Sequence, residues 1–187
     1  MRAGRAAALA LAAALGACAS GPPPTIYDLA AARPPKARPL RAQIRIAEPV
    51  ATLDLDADRI LVRDGQTLAL LPGGRWPQGL SSLFRARLVE TFQNAGLARY
   101  LAGGGAVADY ELDLDIRAFE LDATASQVRV DVAARIVSLE SGRVTAVEIF
   151  TASEPVASPD IAVVTAALNQ ASATVMRRIV AFVARQP

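Results

Sequence analysis

The stretch Arg59-Ile60-Leu61-Val62-Arg63-Asp64-Gly65-Gln66-Thr67-Leu68-Ala69-Leu70-Leu71-Pro72-Gly73-Gly74-Arg75-Trp76-Pro77-Gln78-Gly79-Leu80, with the run that follows it to Leu97, decides the fold. Ile60-Leu61-Val62 is a β-rich run and Asp64-Gly65 is a hairpin signal. Thr67 to Leu71 is expected as the return strand, stopped by Pro72-Gly73-Gly74. From Pro77 the period becomes helical. Leu80, Leu83, Phe84, Leu88 and Phe92 recur at steps of three and four and share one face, while Arg85, Arg87 and Glu90 fall off it. Gly96 then gives a C-terminal stop, because glycine takes the left-handed backbone at little cost.

Outward from this unit, the chain ends in a second helix. Ser158-Pro159-Asp160 supplies a capping acceptor, a proline in the first turn and an early acid. Ile161, Val164, Leu168, Ala171, Val175, Ile179 and Phe182 then form one apolar seam. Between the two helices lie three alternating runs. In Ala108 to Asp122, Tyr110, Leu112, Leu114 and Ile116 face one way and Asp109, Glu111, Asp113 and Asp115 the other. The phase slips at Ala118-Phe119, which predicts a β-bulge. Ser126 to Leu139 and Arg143 to Thr151 are the next two strands. A hairpin centred near Thr124 sets Asp113 near Arg135 and Arg117 near Asp131, so the row of acids reads as cross-strand charge pairing. Arg41 to Glu48 is a further half-buried strand ended by Pro49, and Ala98 to Ala102 is expected as a short one before the Gly103-Gly104-Gly105 turn. The fold class is α+β, a mostly antiparallel sheet with two amphipathic helices packed on one face.

The N-terminal part is of another kind. Arg2 and Arg5 precede the apolar run Ala6 to Leu15, which is short for a bilayer span and fits a signal peptide. Leu15-Gly16-Ala17-Cys18 has the form of a bacterial lipobox, and Cys18 is the only cysteine of the chain. Lipidation at Cys18 is therefore expected, with several acyl chains giving stable anchoring. The residue that follows is Ala19, not the Asp that retains some lipoproteins in the inner membrane, so the expectation is the outer membrane, facing the periplasm. The chain divides into 1–18, the signal peptide with its lipobox; 19–40, a Pro/Ala-rich tether; and 41–187, the folded domain. Within the tether, Tyr27-Asp28-Leu29 is expected either to dock on the domain as an edge strand or to stay disordered with the rest.

Composition narrows the function. Among 187 residues there is no histidine, which removes the commonest general base and the commonest metal ligand. The only lysine is Lys36, so no Ser-x-x-Lys pair exists, and there is no Gly-x-Ser-x-Gly elbow or Walker loop. Leu53-Asp54-Leu55-Asp56-Ala57-Asp58 lacks the glycine and closing glutamate of an EF-hand and reads as a solvated loop. We expect no catalytic residue, no metal and no cofactor. The net charge of +2 misleads, because Arg2, Arg5, Arg33, Lys36, Arg38 and Arg41 precede residue 42 against Asp28 alone. The remainder is net acidic, which argues against nucleic acid as a partner. Trp76, the only tryptophan, stands in a fixed turn between Gly74 and Pro77. It is expected to cap the core at the helix entry, with Arg75 and Gln78 facing a partner; the alternative is that Trp76 is itself the partner contact.

These features, in this order, resemble a family: a lipobox, Tyr27-x-Leu29, Ile46-Ala47-Glu48-Pro49-Val50, a Leu-Asp pair, Arg59-Ile60-Leu61-Val62-Arg63, Arg75-Trp76, an amphipathic helix, Ala108-Asp109-Tyr110-Glu111-Leu112 and a capped C-terminal helix. The chain looks like the ABC-type transport auxiliary lipoproteins, the partners of MCE-type and paraquat-inducible lipid transport systems, over residues 25–185. The resemblance implies a non-enzymatic, membrane-anchored component of a machine that moves lipid across the envelope. It implies an MCE-family protein with its ABC permease and ATPase as partners, and a homo-oligomeric ring by analogy. A lipoprotein that regulates a cell-wall or other envelope enzyme by contact is the other function expected of such a chain.

Overall fold

The structure, a computed structural model, describes residues 23–186. Its elements are β1 (Thr25–Ile26), β2 (Ile44–Ile46), β3 (Val50–Ala51), β4 (Arg59–Asp64), β5 (Thr67–Arg75), α1 (Leu80–Asn94), a 3-10 turn (Ala98–Tyr100), β6 (Tyr110–Asp122), β7 (Gln127–Ser138), β8 (Val144–Pro155) and α2 (Ile161–Ala184). All eight strands join one sheet of order β1-β5-β4-β6-β7-β8, with β2 and β3 also paired to β6. Both helices contribute seams of buried residues to a single core, which α2 closes against β7 and β8. The α+β class stands.

The sheet is mixed where a mostly antiparallel one was expected. One edge of β6 pairs antiparallel with β7 from Tyr110↔Ser138 to Asp122↔Gln127. Its other edge is covered in turn by β2, β3 and β4, all parallel, through Ile44↔Tyr110, Val50↔Asp115 and Leu61↔Glu120. The reason is the helix between them. A helical crossover returns the chain to the end of the sheet from which it left, so the next strand runs parallel to the earlier one.

The hairpin behaves as its residues direct at the tip and differently at the base. Asp64 pairs with Thr67 across Gly65, whose φ is +58°. The return strand does not stop at Pro72. It continues to Arg75, with Leu61↔Leu70 followed by Arg59↔Arg75, so residues 71–74 bulge outward. Proline and glycine are tolerated in a strand at such a bulge. Gly74 is required for packing: a Cβ there would stand 2.7 Å from both Ile161 and the Tyr27 ring.

Past the bulge, Trp76 is 1% exposed and meets Phe119 edge to face, with centroids 5.9 Å apart at 82°. Its backbone N–H donates to the Asp58 carbonyl at 2.7 Å. The aspartate loop, expected to be merely solvated, organises the helix entry. Gly79 at the α1 N-cap has no side chain to offer, and Asp56 Oδ1 accepts from the Ser81 N–H at 2.8 Å in its place. The far end of α1 closes as a Schellman motif, with Leu97 N–H on Phe92 O at 3.0 Å, Gly96 N–H on Gln93 O at 2.9 Å, and Gly96 at φ +84°. Residues 98–102 do not form the expected strand. A 3-10 turn takes Ala98–Tyr100, and only Leu101 reaches the sheet, bridging Ile44, before the glycine turn.

Residues 25–40, expected to belong to the tether, lie along the domain. β1 pairs parallel to the bulge through Thr25↔Gly74, and Tyr27 N–H donates to Arg75 O at 2.9 Å. The chain then crosses both helices. Ala30 N–H donates to Asn169 Oδ1 on α2 at 2.8 Å, and Ala32 N–H donates to Thr91 Oγ1 on α1 at 3.0 Å. Leu29 and Ala32 are buried beneath this strap. Burying the Leu29 side chain alone contributes about 1.5–3 kcal/mol, enough to hold an extended segment in place.

The face of the sheet away from the helices is an ion-pair lattice. Asp113 stands opposite Arg135, and Arg117 Nε lies 3.6 Å from Asp131 beside the bulge between Ile116 and Ala118, both as the sequence predicts. Asp131 also receives Arg129 at 2.9 Å and the Thr151 hydroxyl at 3.2 Å. Glu120, 3% exposed, is gripped by Arg63 at 2.5 and 3.1 Å, and this hydrogen bonding raises the arginine's pKa. Burial pushes the Asp113 carboxyl above its ordinary value; Glu111 adds to the rise and Arg135 offsets part of it.

Two outcomes follow. Trp76→Ala removes a fully buried indole and is expected to lower unfolding free energy by about 3–5 kcal/mol in urea titration; a variant as stable as wild type would contradict the core role. Asp113 binds its proton more tightly folded than unfolded, so its ionisation costs stability as pH rises through the carboxylate range. Asp113→Asn is therefore expected to raise the Tm at neutral pH. The gain should vanish near pH 3, below the ordinary aspartate value of about 3.9. A lower Tm for the variant at neutral pH would show that the Arg135 pairing dominates.

Candidate interaction surfaces

Histidine is absent, and among the described residues no cluster of three or more carboxylates or thiols is set to hold a metal ion. The acid row does not converge on a pocket. The buried acids outside that row, Glu120 on β6 and Asp131 on β7, are held by arginines. Ser81 Oγ is buried without a partner at the start of α1, and the nearby Asp56 carboxylate is engaged by the Ser81 backbone N–H at 2.8 Å. What the fold presents is surface.

The candidate residues of the turn separate. Trp76 is withdrawn into the core, so its indole has no surface to offer a partner while the chain is folded. Arg75 is half-buried, with its guanidinium on Asp58 Oδ2 at 3.0 Å. Gln78 is exposed beside Pro77. The structure thus places Arg75 and Gln78 on the outside of a turn that Trp76 fixes from beneath. Cys18 lies outside the described residues. No helix among the described residues is long and apolar enough to cross a membrane.

Two apolar strips escape the sequence reading. On the β4–β5 side, Leu68 and Leu70 are exposed, beside Leu53, which is 93% exposed at the tip of its loop. On β8, at the opposite edge of the sheet, Val147 and Ile149 are 60% and 55% exposed. The strip on β8 had a signal. Phe150 and Ala152 mark the buried face of that strand, yet Val147 and Ile149 make the other face apolar too, as in a strand covered on both sides. On β5, Leu68, Leu70 and Leu71 carry the same message.

Comparison with known proteins bears on these surfaces as one unit. Residues 27–180, from the strap to the last turns of α2, match the family described as ABC-type transport auxiliary lipoprotein component. An uncharacterised protein of Bradyrhizobium diazoefficiens is 30% identical over 150 residues, which are 78% of this chain and 40% of that protein, so the chain spans less than half of that relative's length. A crystal structure of a protein from Xanthomonas campestris is 29% identical, with a TM-score of 0.76 over 84% of this chain and 94% of that one. A second crystal structure, of an uncharacterised protein, shares the fold with a TM-score of 0.68 at 13% identity, over 87% of this chain and 99% of that one. The strap, the bulged hairpin, both helices and the long strands all fall within the matched span, and this chain belongs to the ABC-type transport auxiliary lipoprotein family.

Proposed function

We propose that this chain is the non-enzymatic, membrane-anchored auxiliary component of an MCE-type ABC transport system that moves lipid across the envelope. The observation that carries this reading is the family match, which runs unbroken across the strap, the sheet and both helices. The absence of histidine and the arginine-paired acids support a structural role in that machine over a chemical one. Acyl groups on Cys18 hold the chain to the outer membrane, since Ala19 follows the cysteine. The folded domain begins at Thr25, seven peptide steps after Cys18, a span of at most ~25 Å. The domain therefore rides close to the membrane surface.

Contact with the MCE protein, and through it the ABC permease and ATPase, falls to the exposed side of the Trp76 turn, where Arg75 and Gln78 stand on a support too well packed to yield. A second copy of the chain is a further partner. The strips around Leu70 and Ile149 lie at opposite edges of one sheet. Joining unlike edges is a heterologous contact, which closes into a ring when the rotation permits.

Cys18→Ser is expected to leave the thermal melt unchanged and to move the protein from the membrane fraction to the soluble periplasm. A mature wild-type chain whose mass shows no acyl addition would defeat the anchoring. The paired substitution Arg75→Ala/Gln78→Ala is expected to melt within a few degrees of wild type yet lose co-purification with the MCE protein. Retained co-purification would place the contact elsewhere.

A further inference from the structure

The C-terminal third of α2 and residues 34–41 of the strap enclose a groove of about 1080 Å³. Its floor is apolar, formed by Val180, Ala181 and Ala184. Its rim is cationic, formed by Lys36, Arg38, Arg41, Arg177 and Arg185, and no carboxylate among the described residues lines it. Arg185 is paired with Glu148 at 3.1 Å, but Arg38, Arg41 and Arg177 have no ion pair among the described residues. Elsewhere Arg63, Arg75, Arg117 and Arg129 are set against acids, and the other arginines without an ion pair among the described residues, such as Arg99, Arg143 and Arg178, lie outside the groove. What distinguishes the groove is the gathering of five cations on one site of a domain that is otherwise net acidic.

Beside the groove opens a smaller cavity of about 140 Å³ between the sheet and the end of α2, lined by Leu40, Ile44, Tyr110, Ile136 and Val183. Arg41 and Gln186 line both, so the two lie side by side. A dry apolar cavity of this size holds about one benzene-sized group. It is too small for the acyl chains of a lipid. A cationic groove leading to a pocket for a single apolar side chain matches the anatomy of peptide recognition, with one buried anchor and a charged rim.

Position sets the groove apart from the point where the N-terminal segment enters the fold. The strap enters at β1, which pairs with Gly74, and Gly74 lies against Ile161 at the start of α2. The groove centres on Ala181, twenty residues further along that helix, or about 30 Å at the helical rise. It therefore stands at the far end of the domain from the N-terminal anchor.

We infer that this groove and cavity form a docking site for an acidic polypeptide segment of another protein, with one aromatic or large aliphatic side chain of that segment seated among Leu40, Ile44, Tyr110 and Val183. The site goes beyond the transport reading and does not depend on it.

The test uses the full domain and a fluorescein-labelled synthetic peptide rich in Glu with one central Phe, titrated by fluorescence anisotropy at two salt concentrations. Salt-sensitive binding is expected, weakened about tenfold or more in Arg38→Glu/Arg41→Glu/Arg177→Glu and retained in the control Arg59→Glu/Arg135→Glu. On the peptide side, replacing Phe by Ala, or every Glu by Gln, is expected to abolish binding to the unaltered protein, which keeps the test decisive should the triple variant fold poorly. Equal binding by the triple variant and the control overturns the inference, as does equal binding of the Phe and Ala peptides. Phosphatidylglycerol vesicles bound through these arginines with the peptide ignored would assign the groove to lipid. Self-association lost in the triple variant would assign it to a second copy. Because the probe is synthetic, failure to find an MCE partner would leave a positive result standing.

Discussion

Everything in this fold depends on satisfying the two edges of β6. Its buried backbone must pair along its whole length, since an unpaired buried N–H or C=O costs about as much as a lost hydrogen bond. One edge is met by β7 in a single hairpin with one bulge between Ile116 and Ala118. The other is met by three fragments, Ile44–Ile46, Val50–Ala51 and the centre of β4, laid end to end in the same direction. Because those fragments precede the hairpin in sequence, the chain must leave the sheet, traverse α1 and return to bring β6 alongside them. The Trp76 turn makes that return possible. It takes the chain from the bulge of β5 into α1, and the aspartate loop between β3 and β4 both receives the Trp76 N–H and caps the helix. The spine of the sheet and the start of the helix are thus set by the same few residues.

This arrangement leaves little chemistry and much surface. One face of the sheet is sealed by α1, α2 and the strap, with Phe84, Leu88, Phe92, Leu168 and Val175 fully buried. The other face is held by arginine and carboxylate pairs across strands, where each exposed pair is worth about 0.2–1 kcal/mol and water reaches the rest. Such a domain is rigid, and its informative features are where its surface departs from that pattern. The departures are apolar strips at the two edges of the sheet and unpaired cations at the end of α2.

What the sequence disclosed follows from how local each signal is. The glycine stop at Gly96, the slip near Ala118 and the facing of Asp113 with Arg135 are fixed by residues a few positions apart or by one tight hairpin, and the structure shows each of them; the start of the last helix is displaced by two residues from the expected one, with Asp160 as the cap acceptor in place of Ser158 and Pro159 ahead of the helix. The parallel pairing of β2, β3 and β4 with β6 joins residues about sixty positions apart, and nothing in a strand's own pattern says which distant edge it will meet. Pro72-Gly73-Gly74 reads as a terminator because those residues end regular strands. Only the close approach of Ile161 and Tyr27 to Gly74 reveals why a bulge is built there instead. Residues 98–102 had the composition of a strand, but the Schellman close of α1 leads straight into a 3-10 turn and leaves only the Leu101 bridge to Ile44. Among the candidate contact residues, the burial of Trp76 was legible from its fixed turn, whereas the groove was not, because its walls come from the strap and the last helix.

The strap carries the last consequence. Its proline-rich composition correctly signals an extended chain, yet an extended chain is also the cheapest segment to dock, having little conformational entropy left to lose. Its hydrogen bonds to Arg75, Asn169, Thr91 and Ala95 touch the bulge, α2 and α1 in succession. At about 0.5–1.5 kcal/mol net for each bond, together with buried Leu29, these contacts exceed what thermal motion removes. A displacement at the N-terminal end is therefore delivered first to the Thr25↔Gly74 pair and the Ile161 contact behind it, and only then along the strap to residues 34–41 at the far groove. One continuous segment forms both the N-terminal lock on the hairpin and a wall of the distal groove, so the orientation of the groove relative to Thr25 is set by packing and not by a flexible linker.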